Sequence, residues 1–223
     1  MTALDINNTG AITVGAAINA GAGAVTIDGT GAGAASIGGA GLITTSNTLT
    51  LNAVGAIGAA SMNLAATGAI VLTSGGNTTF TNSSAVNLGA CSIGGNLGVT
   101  ATTGNITDSG LITVVGTASF TTSTADADID LGTLAVTSTI DLATSGSGGN
   151  ATIVNATAVD LAAMGIGGNL AVTATLGNIT DSGTVTVGGT AQFITSNSND
   201  DIDLGTLAVT SAIPLSTTSS TGH

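Results

Sequence analysis

A seven-residue segment, GNITDSG, begins at Gly104 and returns unchanged at Gly177. The duplication is much wider than this segment, because residues 94–142 align without a gap with residues 167–215 and share 36 of 49 positions. Self-similarity at a fixed spacing of this size is typical of solenoids and related repeat architectures.

Within each repeat, apolar residues stand at alternate positions in short runs, as in Leu97 and Val99 or Ile129 and Leu131. This period of two predicts strands. Gly, Asn, Asp, Ser and Thr separate the runs and supply turn conformations. Helices are disfavoured, because the chain has no Lys, Arg or Glu and contains 35 glycines.

About nine such strands per repeat fit three coils of three strands each, with roughly 24 residues per coil. Hairpins are less well supported, because Asp28-Gly29 is the only Asn-Gly or Asp-Gly dipeptide. We therefore predict an all-β, right-handed parallel β-helix (β-solenoid) of about nine or ten coils, with three short strands per coil. The predicted inward ladder consists of Leu97, Val99, Ile129, Leu131, Leu170, Val172, Ile202 and Leu204.

The chain is interpreted as one β-solenoid domain over residues 1–223, because no linker or change of composition divides it. We expect irregular, shorter coils over about 1–76 and the 73-residue repeats at about 77–149 and 150–223. The most apolar region is rich in Gly and Ala and is interrupted by Asn19 and Asp28, so no transmembrane helix is predicted.

The charge of the chain restricts its partners. All 12 acidic residues are Asp, and the formal net charge is -12 with no Lys or Arg. Nucleic acid and anionic membranes would be repelled by such a surface. The expected partners are therefore protein surfaces or uncharged glycans.

Little in the sequence supports catalysis. His223 is the only histidine and ends the chain, and Cys91 is the only cysteine, so a Ser-His-Asp or Cys-His arrangement and a zinc site are not expected. Cys91 aligns with Met164 of the second repeat, which favours a packing role for its side chain. Pectate-lyase-like β-helices need a basic residue, which this chain lacks. We predict no catalytic residue and no enzyme activity.

Two carboxylate triplets remain to be explained, one in each repeat. A carboxylate pair could catalyse glycoside hydrolysis, but the duplication of the triplet along the chain favours a solvated outer face. The same residues are candidate calcium ligands, although the nonapeptide motif of calcium-bound β-rolls does not occur and no cofactor is expected. The candidate residues are Asp126, Asp128, Asp130, Asp200, Asp201 and Asp203. A further alternative is a flat threonine array of the ice-binding kind, suggested by TLT at 48–50 and TAT at 100–102 and 173–175.

The run GGNLAVTATLGNITDSGTVTVGGTAQF (167–193), its partner from Gly94, and LTLNAVGAIGAASMNLAATGAIVLTSGG (49–76) resemble the repeats of large bacterial surface proteins of the filamentous haemagglutinin type. The resemblance covers nearly the whole chain. It implies a right-handed parallel β-helix that is exported to the cell surface and serves as the rod of an adhesin. The expected function is a non-enzymatic, extracellular structural or adhesive rod; the alternative of another class is a polysaccharide-degrading β-helix enzyme.

The two terminal segments, MTALDINNTG and AIPLSTTSSTGH, do not resemble the capping elements that solenoids use to cover their end coils. We therefore expect the end coils to be covered either by flanking repeats of a larger adhesin or by other copies of the chain, stacked head to tail into a filament.

Overall fold

A computed structural model describes residues 2–31, 33 and 35–217. The described residues form 27 strands, which alternate along the chain between two parallel sheets. Sheet 1 consists of β1 (Ala3–Asn7), β4 (Ala24–Gly29), β7 (Leu49–Ala53), β9 (Ala69–Ser74), β11 (Val86–Ile93), β13 (Ile106–Asp108), β14 (Ile112–Val114), β16 (Ile129–Val136), β18 (Ala151–Asn155), β21 (Leu170–Ala174), β24 (Ala191–Thr195) and β27 (Leu215–Thr217).

Sheet 2 lies opposite and receives the chain after each passage through sheet 1. It consists of β2 (Ile12–Thr13), β3 (Ile18–Gly21), β5 (Ile37–Gly38), β6 (Ile43–Thr45), β8 (Ile57–Ala66), β10 (Thr78–Asn82), β12 (Leu97–Ala101), β15 (Ala118–Ala125), β17 (Thr139–Ser145), β19 (Val159–Leu161), β20 (Met164–Ile166), β22 (Ile179–Asp181), β23 (Val185–Val187), β25 (Ile202–Asp203) and β26 (Leu207–Val209).

The prediction of an all-β parallel β-solenoid of about ten coils is confirmed. Neighbouring strands are parallel, and each pairs with the strand one coil further along the chain. A coil contains two or three strands, because a half-turn is either one continuous strand or two short strands separated by a bend. Coil length varies along the chain: Ile12 and its partner Ile37 are 25 residues apart, Met62 and Phe80 are 18 apart, and Leu97 and Ala118 are 21 apart.

The repeat period corresponds to three and a half coils, not to three. Leu97 begins β12 in sheet 2, whereas its copy Leu170 begins β21 in sheet 1, seven half-turns later. Each later element of the repeat changes sheets in the same way. Both sheets bury one side by the same alternation of apolar and polar residues, so the strand pattern alone does not distinguish three coils from three and a half.

The core is a set of ladders that run along the solenoid axis between the two sheets. In sheet 2, Phe80 pairs with Val99 and Val99 pairs with Phe120, so large and small side chains alternate from coil to coil. Both Phe side chains are completely buried. The predicted inward ladder is confirmed for its first six residues, which are buried. Ile202 and Leu204 also pack against the core but remain partly exposed, because they lie in the last described coil.

Candidate functional site

Asn and Asp side chains at the corners of the solenoid connect one coil to the next. Asn105 Oδ1 accepts the N–H of Asp128 at 3.0 Å, and Asp128 Oδ1 accepts the N–H of Asn150 at 2.8 Å. The ladder continues when Asn150 Oδ1 accepts the N–H of Asn169 at 2.9 Å and Asn169 Oδ1 accepts that of Thr190 at 2.8 Å. These oxygens satisfy N–H groups that the turns leave outside the strand ladders.

The repeated segment GNITDSG is one such corner followed by a short strand. Ile106 and its copy Ile179 point inward and are fully buried. Asn105 and its copy Asn178 accept the N–H groups of Asp128 and Asp201, respectively, on the following coil. Each copy of the segment therefore connects its corner to the coil that follows it.

The aspartate of the same segment forms a second connection between coils. Asp108 accepts the N–H groups of Gly132 at 3.0 Å and Thr133 at 2.8 Å, and the Thr133 hydroxyl also donates to it. Its copy Asp181 accepts from Gly205 at 2.6 Å and from the N–H and hydroxyl of Thr206 at 2.8 and 2.6 Å. We call this arrangement the aspartate clamp.

The clamp changes the ionisation of Asp181. Partial desolvation raises the pKa of this carboxyl group, but the hydrogen bonds from Thr206 and Gly205 outweigh it. The pKa of Asp181 consequently lies below its ordinary value of 3.8. The carboxylate form is therefore the one that the fold stabilises.

The first candidate triplet is spread around a corner and the start of β16. Asp126 has a φ of 62° and its Oδ1 accepts the N–H of Gly148 at 2.7 Å. Asp128 belongs to the corner ladder, and its Oδ1 also accepts from Asn150 Nδ2 at 3.0 Å. Asp130 points outward from β16 and is exposed. Asp128 and Asp130 line a shallow groove on sheet 1 together with Asn150.

The second triplet is arranged differently. Asp200 is buried, and its Oδ2 accepts the N–H of Gly177 at 2.7 Å, whereas Asn199 occupies the left-handed corner position that corresponds to Asp126. Asp201 immediately precedes β25 and Asp203 ends it, and both are exposed. Since β25 lies in sheet 2 and β16 in sheet 1, the two triplets lie on opposite faces. In the described part of the chain, no three Asp, Cys or His side chains form a group that could hold a metal ion.

The remaining sequence candidates do not form a site either. Cys91 is buried within β11 of sheet 1. Desolvation raises the pKa of its thiol to about 12, with a smaller opposing effect from a backbone hydrogen bond at Leu72. Its copy Met164 is also buried, which agrees with a packing role. His223 lies outside the described residues.

The threonine arrays proposed from the sequence are short. Thr100 stands in an outward column between Thr81 and Thr121. Thr173, its copy in sheet 1, stands between Val154 and Ile194. The column on sheet 2 therefore ends after three coils. On sheet 1, Thr50 of the TLT segment stands between Thr26 and Val71, so its column is shorter still.

The side-chain amides of Asn82 and Asn155 are buried, which the sequence did not lead us to predict. Asn155 is completely buried; its Oδ1 accepts the N–H of Val136 at 2.9 Å, and its Nδ2 donates to the carbonyl groups of Val136 at 3.0 Å and Ala158 at 2.8 Å. Asn82, one repeat earlier, makes the equivalent contacts with Ala66 in sheet 2. The sequence carries one signal for these buried amides. Asn82 and Asn155 occupy the same position of the two repeats, and in each case this is an inward position of a strand.

Residues 75–135 and 148–218 each match a family described as repeats of unknown function, DUF5649. The two matches cover more than half of the chain, and they begin at equivalent positions of the internal repeat. The chain belongs to this repeat family. No curated protein and no solved structure matches it. The described residues contain no helix long and apolar enough to cross a membrane.

Proposed function

We propose that this chain is a non-enzymatic structural rod of an extracellular or cell-surface protein. The observation that carries the proposal is the uninterrupted stack of about ten coils, in which one hydrophobic core extends from Val14 to Phe193. At about 4.8 Å per coil, the stack is about 50 Å long. Such a stack holds its two ends at a fixed separation, as a spacer must.

The surface location rests on the resemblance of the repeats, and the choice of partners rests on the charge. The repeats resemble those of filamentous haemagglutinin-type surface proteins, whose rods are exported. The chain also carries 12 Asp and no Lys or Arg, so its surface repels anionic polymers and anionic membranes. Protein surfaces and uncharged glycans are the partners that this charge allows.

The composition of the two faces limits how the rod would adhere. All three Phe side chains are completely buried, and the chain has no Trp, Tyr or Arg. Aromatic and Arg side chains supply most of the energy of tight interfaces. Any adhesion through the faces would therefore consist of weak contacts in shallow grooves, such as the one at Asp128 and Asn150, summed over many repeats.

The location is tested by labelling intact and permeabilised cells of the source organism with an antibody against the purified chain. Equal labelling of both preparations is expected, and labelling that requires permeabilisation would refute a surface role. An antibody against a cytoplasmic protein is the matched control.

Adhesion and catalysis are tested separately on the purified chain. We expect binding to uncharged glycans or protein-coated surfaces to be detected only when many copies are attached to one bead, and no turnover of acidic polysaccharides. Turnover that is lost in Asp201→Ala but kept in Asp5→Ala would replace the rod with the polysaccharide-degrading enzyme. Both residues are exposed aspartates, and Asp5 lies outside the triplets.

A further inference from the structure

The outer side of sheet 1 carries apolar side chains in the middle of the stack. Val71, Ala90 and Leu111 are neighbours in one outward column, because the residues that follow them in the chain are paired in β9, β11 and β14. They line a shallow groove on the face of the sheet. Leu111 and Val115 flank β14 and are 54% and 60% exposed. We call Val71, Ala90, Leu111 and Val115 the apolar patch.

The solenoid itself does not require the two most exposed members of the patch. One repeat later, Thr184 stands at the position of Leu111, and Gly188 stands at the position of Val115. These copies flank β23, which has the same inward apolar pattern as β14. The same local fold therefore forms without apolar side chains at the two outward positions. The packing of the coils does not explain why the first repeat exposes them.

The aspartates of sheet 1 are distributed unevenly around the patch. Residues 29–107 contain no charged side chain. Among the described strands of sheet 1, aspartates occur only in β1, β4, β13 and β16, which contain Asp5, Asp28, Asp108 and Asp130. The other eight strands of the sheet contain none.

We propose that the apolar patch binds the same patch of a second copy of this chain, with sheet 1 against sheet 1 and the two rods antiparallel. The two-fold axis runs along the strands and passes between the two Ala90 residues. It places β9 of each copy opposite β14 of the other, so that Val71 meets Leu111. Val115 then meets Gly75, whose lack of a side chain leaves room for it. The contact is isologous and closes at two copies.

The distribution of charge selects this orientation of the second copy. The same axis places β16 opposite β7, β4 opposite β18 and β1 opposite β21. Each strand of sheet 1 that contains an aspartate therefore faces a strand without one. With the two rods parallel, each strand would face its own copy, and the strands of Asp108 and Asp130 would meet themselves. Like charges that face each other oppose association, so the antiparallel pair is favoured.

The size of the face predicts a weak dimer. Five coils, from β7 to β16, with strands of about six residues cover about 500 Å² per copy at about 4.8 Å per coil and 3.3 Å per residue. Both copies together bury about 1,000 Å², which is below the usual range of stable interfaces. Added salt screens the repulsion between the two negative chains, so association should strengthen as the salt concentration rises.

The main test exchanges exposed leucines for the residues at the equivalent positions of the other repeat. Leu111→Thr introduces the residue found at Thr184, and Leu176→Thr introduces the residue found at Thr103. Leu176 is 56% exposed at a corner outside the patch and is the matched control. Leu111→Thr should weaken dimerisation about tenfold or more, because each dimer loses two contacts of a leucine. Leu176→Thr should dimerise as the unsubstituted chain does. Sedimentation equilibrium at low and high salt measures both.

A mixing experiment tests the two-fold axis. Ala90→Asp and Ala90→Lys each place two like charges at the axis, so neither variant alone should dimerise. An equimolar mixture of the two should dimerise again, and more strongly than Ala90→Lys mixed with the unsubstituted chain. Thr79→Asp, at an exposed position of sheet 2, should leave dimerisation intact. Circular dichroism and the melting temperature of each variant show that it is folded.

Four results would overturn the proposal: an unsubstituted chain that stays monomeric at all concentrations and salt levels, equal effects of Leu111→Thr and Leu176→Thr, assemblies larger than dimers, or no recovery in the mixture of Ala90→Asp and Ala90→Lys. The inference goes beyond the proposed rod function and fails separately from it. Monomers that are elongated in electron micrographs would refute the dimer and still support the rod.

Discussion

Asn155→Asp places a carboxyl group where the fold provides mostly hydrogen-bond acceptors. The side-chain amide is completely buried, and its Nδ2 donates to the carbonyl oxygens of Val136 and Ala158 and to the Thr157 hydroxyl. After the substitution, an oxygen faces these groups. A protonated carboxyl can still donate to one of them, but a carboxylate can donate to none.

The direction of the pH dependence follows from this geometry. The folded protein favours the neutral form, so the pKa of the introduced group rises above its unfolded value of about 3.9. The loss of stability is therefore small below that pH and grows as pH rises towards the folded pKa. A pKa raised by about three corresponds to a loss of about 4 kcal/mol at pH 7. The lost amide donors add about 1 kcal/mol at any pH.

Chemical denaturation of the variant and the unsubstituted chain at pH 3.5 and 7 measures this difference. Asn82→Asp should behave in the same way, because Asn82 makes the equivalent contacts in the other sheet. Asn63→Asp is the matched control, since Asn63 is exposed on the outer side of β8. Asn155→Ala should lose stability equally at both pH values. A loss in Asn155→Asp that is independent of pH, or no larger than in Asn63→Asp, would refute the reasoning.

Three further predictions concern the corners, the clamp and metal dependence. Gly167→Ala should lower the free energy of unfolding by about 3 kcal/mol or more, because the added Cβ would overlap the carbonyl oxygen of Gly146 on the preceding coil. The matched control is Gly165→Ala, whose Cβ would meet no neighbouring atom. This variant should change the free energy of unfolding by less than about 1 kcal/mol. Asp181→Asn should lower the melting temperature at pH 7, because the clamp holds the pKa of Asp181 below its ordinary value. The deficit should disappear as pH falls below about 4, since a depressed pKa stabilises the fold only while the group is ionised. Asp203→Asn, at an exposed aspartate outside the clamp, is the matched control and should lower the melting temperature less at pH 7. A chelator should leave the melting temperature unchanged, and a fall of many degrees would support the calcium hypothesis for the aspartate triplets.

The sequence was sufficient to predict the strands, their parallel arrangement and most of the core. Leu97, Ile129 and Leu170 were placed inward because alternation of apolar and polar residues directly records which side of a strand is buried. The assignment of residues to sheets was not predictable in the same way. Alternation is identical on both sheets, and the length of a coil depends on corner geometry, which the pattern of apolar residues does not encode.

The candidate sites were predicted less well than the core, because composition says little about which carboxylates come together. Asp126 and Asp200 are both held by backbone N–H groups, although they occupy different positions of the repeat. The partners of Asp108 and Asp181 could not be predicted from the sequence, since they lie about one coil further along the chain. Contacts between coils become visible only when the coil length is known.

The aspartate clamp explains which residues of the repeat stay identical. Asp108 and Thr133 are separated by a whole coil but touch each other, as do Asp181 and Thr206. A change in one segment would leave N–H groups of the other without their acceptor, so the two segments must be retained as a pair. At some outward positions without such a partner the copies differ, as in Leu111 and Thr184. Both members of a pair lie on the same face of the solenoid. The pair of Asp108 and Thr133 is on the face of sheet 1, and its copy, Asp181 and Thr206, is on the face of sheet 2, because the repeat period is seven half-turns.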